Sequence, residues 1–270
     1  MRLFYYLNIL SIDVGVGAMV GCAFFAKIFG VHLLPHALVS LGLIVWIIYT
    51  IDHMVDASNS VGTPATARHR FHKQHARKLL VVVILAAIVV AIEAFFVRKP
   101  VLFAGLCVAA MVVGYLLMQA SLKFFKEVAG AILYSAGIVA APWSLLTRPL
   151  TQIEIGLIAL LVLTAYINLL LFSFFDIQTD KQDNHSSFAT EFGEKITSAF
   201  LIVAFVMAGL LCVILISAYP IYLATVLALG IMNASLFITF LYRGYFAVDD
   251  RYRRLGDAVF LFPLAILILI

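Results

Sequence analysis

Charged side chains are scarce in this sequence. Asp, Glu, Lys and Arg together make up 12% of the 270 residues, about half of their share in a typical soluble domain. Apolar residues make up 64%, and the mean hydropathy is +1.11. This composition excludes a soluble enzyme, a disordered chain and a nucleic-acid-binding domain. We therefore expect the net charge of +4 to report membrane topology and not nucleic-acid binding.

Cysteine is also rare. Cys22, Cys107 and Cys212 each lie within an apolar run, and no two of them form a CxxC pair. This spacing argues against a thiolate metal site or a redox pair, and we interpret the three as small apolar side chains. The first apolar run begins near residue 7 and is long, so we expect a membrane span there and not a cleaved signal.

Long apolar runs are abundant, and each is about the length of a membrane-spanning helix. Their continuous apolar character predicts helices and not strands of alternating polarity. The sequence therefore predicts an all-α polytopic membrane protein, a single domain over 1–270 with about nine transmembrane helices around a central cavity. We expect two related halves, about 1–125 and 126–242, followed by a final helix. The predicted spans are 7–29, 33–51, 79–97, 101–120, 129–147, 154–175, 196–218, 221–241 and 257–270.

The few charges are distributed unequally between the two sides of the membrane. With nine spans, the side that holds the N-terminus and the loops after spans two, four, six and eight carries 14 of the 18 Lys and Arg residues. The positive-inside rule makes this side cytoplasmic, and we expect a bacterial inner membrane. Eleven of the 14 acidic residues lie on the same side. The positive-inside rule does not require them, so they need another explanation.

Two acidic clusters share one spacing. Asp52 and Asp56 end the second span, and Asp176 and Asp180 end the sixth. Residues four apart lie on one face of a helix, so the four carboxylates could face a shared cavity. Oxygen ligands of this kind suit Mg²⁺, which substrate phosphates often complete. The alternative is that these aspartates lie at headgroup level and are solvated or paired with cations.

Basic residues on the same side complement the acids. Arg68 and Arg70 follow the second span, Lys123 follows the fourth, and Lys181 follows Asp180. A metal combined with Arg and Lys suits a diphosphate, whose negative charge both would stabilise. The alternative is that the basic residues only bind anionic lipid headgroups.

Histidines lie among these charges. His69, His72 and His75 suggest a metal site, but their run is rich in cations and lacks a matching set of Cys or acidic residues nearby. His53 lies between Asp52 and Asp56, and the sequence does not decide whether it faces the cavity or the headgroups.

Aromatic side chains are numerous, with 22 Phe and 11 Tyr. An apolar cavity lined by some of them could hold an isoprenoid tail and stabilise a carbocation through its ring faces. The alternative for any single one is ordinary packing or a position in an interfacial belt.

Three segments resemble the UbiA superfamily of intramembrane prenyltransferases. The stretch DIQTDKQDNHSSFATEFG, residues 176–193, is similar to the second aspartate-rich motif of that family. DHMVD, residues 52–56, resembles the second half of its first motif. The stretch 121–143 is similar to its lysine-containing loop and fifth helix. The family pattern has Asn-Asp where this chain has Ile48 and Tyr49, and RHRFHKQH replaces its Arg-Pro segment.

The resemblance implies a nine-helix fold and transfer of a prenyl group from a diphosphate to an aromatic or other lipid-soluble acceptor. It implies that Asp52, Asp56, Asp176 and Asp180 hold Mg²⁺ as the catalytic centre. Lys123 and one of Arg68 or Arg70 would bind the diphosphate, with Lys181 as a further diphosphate-binding residue. The alternatives are cyclisation of a prenyl substrate, and a non-enzymatic transporter or lipid-binding protein on the same scaffold.

Overall fold

The computed structural model describes residues 2–59, 66–183 and 185–269, apart from the side chains of 2–4, 59, 119–121, 123 and 269. These residues form helices and no strand, which confirms the all-α class. The helices are α1 (Arg2–Ile9), α2 (Ile12–Phe29), α3 (Pro35–Asn59), α4 (Ala67–Glu93), α5 (Lys99–Leu122), α6 (Lys126–Ser144), α7 (Gln152–Gln182), α8 (Phe188–Ala218), α9 (Leu223–Leu241), α10 (Arg243–Phe246), α11 (Arg251–Ala258) and α12 (Pro263–Leu269).

Seven segments of the described chain are long and apolar enough to cross a membrane: Ile12–Phe29, Pro35–Ser58, Ala67–Glu93, Lys99–Met118, Gln152–Gln182, Phe188–Ala218 and Pro220–Leu241. The chain is therefore an integral membrane protein by length and composition. The count of nine spans is not confirmed. Helix α6 is not among the seven, and the predicted last span is divided into a 3₁₀ turn, Val259–Leu261, and the short α12.

Three helix boundaries differ from the sequence prediction in ways that shape the candidate site. The first predicted span is interrupted at Ser11, whose φ of 54° is left-handed and separates α1 from α2. Helix α4 begins about three turns before its apolar run, because Thr66 caps it by accepting a hydrogen bond from the His69 amide. Helix α7 continues about two turns past its apolar run and so carries Asp176 and Asp180 on regular helix.

The protein core surrounds α2 and α7. Two thirds of the α2 span and half of the α7 span are buried, whereas only 6% of the α5 span is. Helix α2 packs against α3 and α6, and α7 packs against α6, α8 and α9. The exposed side of α5 is apolar and includes Phe103 and Leu117, as expected for a lipid-facing surface. The central pair of helices thus brings residues from most of the chain to one interior.

Candidate active site

The four predicted aspartates line one polar cavity of about 220 Å³. Asp52 and Asp56 enter it from the end of α3, and Asp176 and Asp180 enter it from the end of α7. Each pair is four residues apart, which places both carboxylates on one face of their helix, and that face lines the cavity. The lining also includes His53, His69, Arg68, Lys126, Glu127, Asn168, His185, Arg253 and Asp257. The cavity therefore combines carboxylates, imidazoles and cations from distant parts of the sequence.

The predicted diphosphate-binding cations lie in different places. Arg68 is buried and lines the cavity. Arg70 and Lys181 are exposed and do not line it. The side chain of Lys123 lies outside the described residues. Lys126, one turn further along the chain, does line the cavity. The roles assigned to these residues from the sequence stay predictions.

Asp176 is held by two residues of α11. The Tyr252 hydroxyl donates a 2.5 Å hydrogen bond to Asp176 Oδ1, and Arg253 Nη2 lies 2.5 Å from Oδ2. Arg253 Nε also donates to the Tyr252 hydroxyl at 3.1 Å, and the Tyr252 ring stacks on Phe175. Both oxygens of Asp176 are therefore occupied, and α11 is fixed against α7 at the edge of the cavity.

The protonation states of Arg253 and Tyr252 follow from their surroundings. Burial by itself would lower the pKa of Arg253, but the Asp176 carboxylate and the Tyr252 hydroxyl hold that pKa well above its usual value. Burial raises the pKa of Tyr252, and the nearby Asp176 charge raises it further. Arg253 thus stays cationic and Tyr252 stays protonated as a hydrogen-bond donor at neutral pH. The cavity has a permanently charged guanidinium in its wall.

Arg68 belongs to a second buried network. Its Nη2 donates to Asp257 Oδ2 at 2.9 Å and to the Asn8 main-chain oxygen at 2.9 Å. Asn8 Nδ2 in turn donates to Asp13 Oδ2 at 2.6 Å and to Asp257 Oδ2 at 2.8 Å. The network joins α1, α2, α4 and α11. One guanidinium nitrogen of Arg68 is therefore committed to holding the bundle together beside the cavity.

The acceptor oxygens of the cavity wall fit a cation. Glu127 Oε1 accepts a 2.8 Å hydrogen bond from the Phe188 amide and so holds the start of α8, but its Oε2 is buried without a partner. Asn168 Oδ1 is likewise a buried acceptor without a partner. Three further carboxylates, those of Asp52, Asp56 and Asp180, share the same cavity. An all-oxygen set of this kind suits Mg²⁺.

An apolar chamber of about 500 Å³ adjoins the polar cavity. It lies among α3, α4, α5 and α6, and it shares Tyr49, Asp52, Tyr115, Tyr134 and Leu169 with the polar cavity. Apart from Ser40, the remaining lining is aliphatic or glycine. The three tyrosines therefore stand where the charged and apolar spaces meet. Of the aromatic lining expected from the sequence, the described chamber contains this tyrosine border and no Phe or Trp.

Several site residues were not found by sequence reasoning. Tyr252, Arg253 and Asp257 belong to RYRRLGD, whose charges contributed only to the predicted topology. Glu127 and Asn168 were not singled out for the site either. The sequence contains a pattern that could have predicted α11. The buried residues of this helix have helical spacing and are Tyr252, Gly256 and Asp257.

No protein-family model and no curated protein sequence matches this chain. Solved structures match it over nearly its whole length. An apo UbiA homologue from Aeropyrum pernix K1 has a TM-score of 0.66 at 14% identity, covering 97% of both chains. A UbiA homologue from Archaeoglobus fulgidus bound to DMAPP and Mg²⁺ has a TM-score of 0.62 at 13% identity, covering 98% of this chain and 99% of its own.

The same archaeal homologue bound to GPP and Mg²⁺ has a TM-score of 0.61 at 14% identity, covering 97% of this chain and 98% of its own. At this identity the likeness establishes the fold. The chain therefore has the fold of these UbiA homologues, as the sequence resemblance implied.

Proposed function

We propose that this chain is a divergent member of the UbiA superfamily that binds a prenyl diphosphate with Mg²⁺. In this proposal it transfers the prenyl group to a lipid-soluble acceptor. The observation that carries the proposal is the pair of joined cavities. A polar cavity with four aspartates, Lys126 and Arg253 shares three tyrosines with an apolar chamber of about 500 Å³. A molecule with a multiply charged anionic head and a long isoprenoid tail has the shape and polarity of this space.

The structural neighbours support the same substrate class. Two of them hold DMAPP or GPP together with Mg²⁺. Bound Mg²⁺ supplies positive charge that neutralises a diphosphate and makes it a better leaving group. Asp52, Asp56 and Asp180 would hold it, together with Asp176, whose oxygens also contact Tyr252 and Arg253 and each keep a second lone pair.

The position of each cation in the cavity indicates its role in binding the diphosphate. Arg253 and Lys126 place fixed positive charge in the cavity wall and bind diphosphate oxygens. Arg68, Arg70, Lys123 and Lys181, the cations assigned from the sequence, stay candidates for the same role. Breaking the allylic carbon–oxygen bond leaves a cation on the prenyl carbon and the electron pair on the diphosphate.

The tyrosine border lies where that carbon would be. Tyr49, Tyr115 and Tyr134 offer ring faces that attract a carbocation. The aliphatic walls of the chamber keep water from the cation until the acceptor attacks and loses its proton. We propose that the polar cavity faces the cytoplasm, because the predicted excess of Lys and Arg lies on its side.

Binding tests the proposal directly. The protein in detergent is titrated with geranylgeranyl diphosphate with and without Mg²⁺, as wild type and as Asp52→Asn/Asp180→Asn. We expect Mg²⁺-dependent binding that the double variant weakens by roughly 100-fold or more, because two metal ligands are lost. Asp249→Asn is the matched control, since Asp249 is exposed and does not line the cavity. Equal binding by all three proteins, or none by folded wild type, would rule out this site.

Turnover distinguishes an enzyme from a binding protein on the same scaffold. Incubation of the wild type with radiolabelled prenyl diphosphate and native membrane lipids is expected to yield a labelled lipid product and free diphosphate. Binding without release of diphosphate would exclude both transfer and cyclisation.

A further inference from the structure

Three potential metal ligands converge at one edge of the polar cavity. His53 and Asp56 lie three residues apart on α3, and His69 lies in the first turn of α4. One ligand atom from each side chain lies within 4.8 Å of the other two. The Thr66 hydroxyl accepts from the His69 amide at 3.2 Å and so fixes the start of α4 beside α3. The sequence alone had suggested a histidine run without an acidic partner, and Asp56 is that partner.

The imidazoles of this group have unsatisfied nitrogens. His53 Nδ1 and His69 Nδ1 are buried and have no hydrogen-bond partner. A buried polar atom without a partner is costly, and native proteins usually give such an atom a function or a ligand. The two rings lie 5.8 Å apart between centroids. The second nitrogen of His53 is engaged only by a long contact of 3.4 Å to Arg68 Nη1, which is weak at that distance.

We propose that His53, Asp56 and His69 bind a divalent transition-metal ion, with Zn²⁺ as the type. One carboxylate oxygen of Asp56 binds this ion, and its other oxygen is left for the Mg²⁺ of the proposed function. Imidazole nitrogen favours Zn²⁺, Co²⁺ and related ions, whereas Mg²⁺ prefers an all-oxygen set. Two imidazoles and one carboxylate with a position left open are typical of zinc sites that bind a further ligand. This inference does not rest on the proposed function, since it uses only the ligand chemistry of the three side chains.

The geometry allows the site with small movements. Ligand atoms bound at about 2.0–2.1 Å to a tetrahedral ion are about 3.3 Å from one another. The present separations of up to 4.8 Å therefore close by about 1.5 Å at most, which side-chain rotation supplies. The charge of Arg68 does not oppose the ion strongly, because Asp257 pairs with it at 2.9 Å. The bound ion would join α3 to α4 at the edge of the cavity.

Metal binding tests the inference on the whole protein in detergent, purified through a histidine-free tag and stripped with chelator. Co²⁺ is titrated and followed by its visible absorption, with Zn²⁺ as competitor. We expect one Co²⁺ per chain, displaced by equimolar Zn²⁺ and not by a large excess of Mg²⁺. His53→Gln and His69→Gln are expected to weaken Co²⁺ binding by roughly 10- to 100-fold.

His75→Gln is the matched control. His75 is on the same helix as His69, but its Nδ1 bonds to the Phe71 main-chain oxygen at 3.0 Å and its ring stacks on Phe71. This variant is expected to bind Co²⁺ as wild type does. Wild type that binds no Co²⁺, Co²⁺ that Mg²⁺ displaces freely, or an equal loss in all three variants would overturn the inference.

Two further measurements keep the result interpretable. X-ray absorption of the Zn²⁺-loaded wild type needs no variant and is expected to show two imidazole ligands. A spectrum without imidazole ligands would overturn the proposal. Mg²⁺-dependent binding of geranylgeranyl diphosphate is measured on the same samples. Co²⁺ binding without diphosphate binding supports this inference against the proposed function. Diphosphate binding without a Co²⁺ site supports the proposed function and overturns the inference.

Discussion

At the scale of single residues, the polar cavity depends on how its charges are compensated. Asp176 and Arg253 are both largely buried, with 8% and 15% of their side chains exposed. Each would be costly to bury alone, because desolvation of a charge in a protein interior is offset only by a well-placed partner. The pair therefore maintains a cation in the cavity wall and holds Asp176 in a fixed position there.

Breaking this pair should show the cost of an unpaired buried charge. Asp176→Asn leaves the guanidinium without its carboxylate and is expected to lower the free energy of unfolding by about 3–5 kcal/mol. Tyr252→Phe loses two hydrogen bonds, the one donated to Asp176 and the one accepted from Arg253, and is expected to cost about 1–3 kcal/mol. Both are measured by reversible unfolding in mixed micelles.

The single variant Arg253→Gln and the double variant Asp176→Asn/Arg253→Gln provide the check, together with Asp176→Asn. Because neither charge remains in the double variant, its loss of stability is expected to be smaller than the sum of the two single losses by more than about 1 kcal/mol. Additive losses would mean that the two side chains do not stabilise each other.

At the scale of helices, the site requires α11 to lie close against α7. A Cβ added to Gly256 would lie 2.5 Å from Asn168 Oδ1 and 2.5 Å from the Phe172 ring. Only a residue without a side chain allows this approach. The approach also positions Tyr252 and Arg253, which lie one turn earlier on α11.

Gly256→Ala is therefore expected to displace α11. Overpacking of a tight contact costs about 1–3 kcal/mol, and the displacement should also weaken binding of geranylgeranyl diphosphate, because Arg253 moves with the helix. Gly244→Ala is the control, since nothing lies within 4 Å of its added Cβ. The measurements are thermal unfolding and ligand titration in detergent. Wild-type behaviour of both variants would show that the helix contact is not needed.

Helix extent shows what the sequence could and could not predict. The apolar runs located the membrane-spanning parts of α3, α5, α7 and α9, because lipid requires an unbroken apolar length. They did not locate the ends of α4 and α7, where polar residues continue the helix through capping by Thr66 and through contacts with α11. An apolar run ends at the membrane surface, whereas a hydrogen-bonded helix can continue beyond it.

The same distinction explains the candidate site. Equal spacing in the two aspartate pairs indicated that each pair lies on one face of its helix and could face a shared cavity. The shared face depends only on helix periodicity within each segment. Sequence could not show that Tyr252 and Arg253 occupy Asp176, or that Asp56 joins His53 and His69. These contacts join residues far apart in the chain, and they depend on how α3, α4, α7 and α11 are arranged.

At the scale of the whole molecule, the proposed function requires the two neighbouring cavities to act as one site. The apolar chamber among α3 to α6 is bounded outside by helices whose exposed surfaces are apolar. Glycine residues that line the chamber enlarge it, and an added Cβ at Gly137 meets nothing within 4 Å. The volume open to a prenyl tail is thus set in part by the absence of side chains.

Filling that volume should shorten the tail that the protein accepts. Gly137→Leu places a branched side chain in the chamber, where a long isoprenoid would otherwise lie. We expect the affinity for geranylgeranyl diphosphate to fall at least about tenfold relative to that for DMAPP, which corresponds to about 1.4 kcal/mol. Gly209→Leu is the control, because Gly209 also has open space around it and lines neither cavity. A uniform change for both ligands would show that the chamber does not hold the tail, and that the joined cavities do not act as one site.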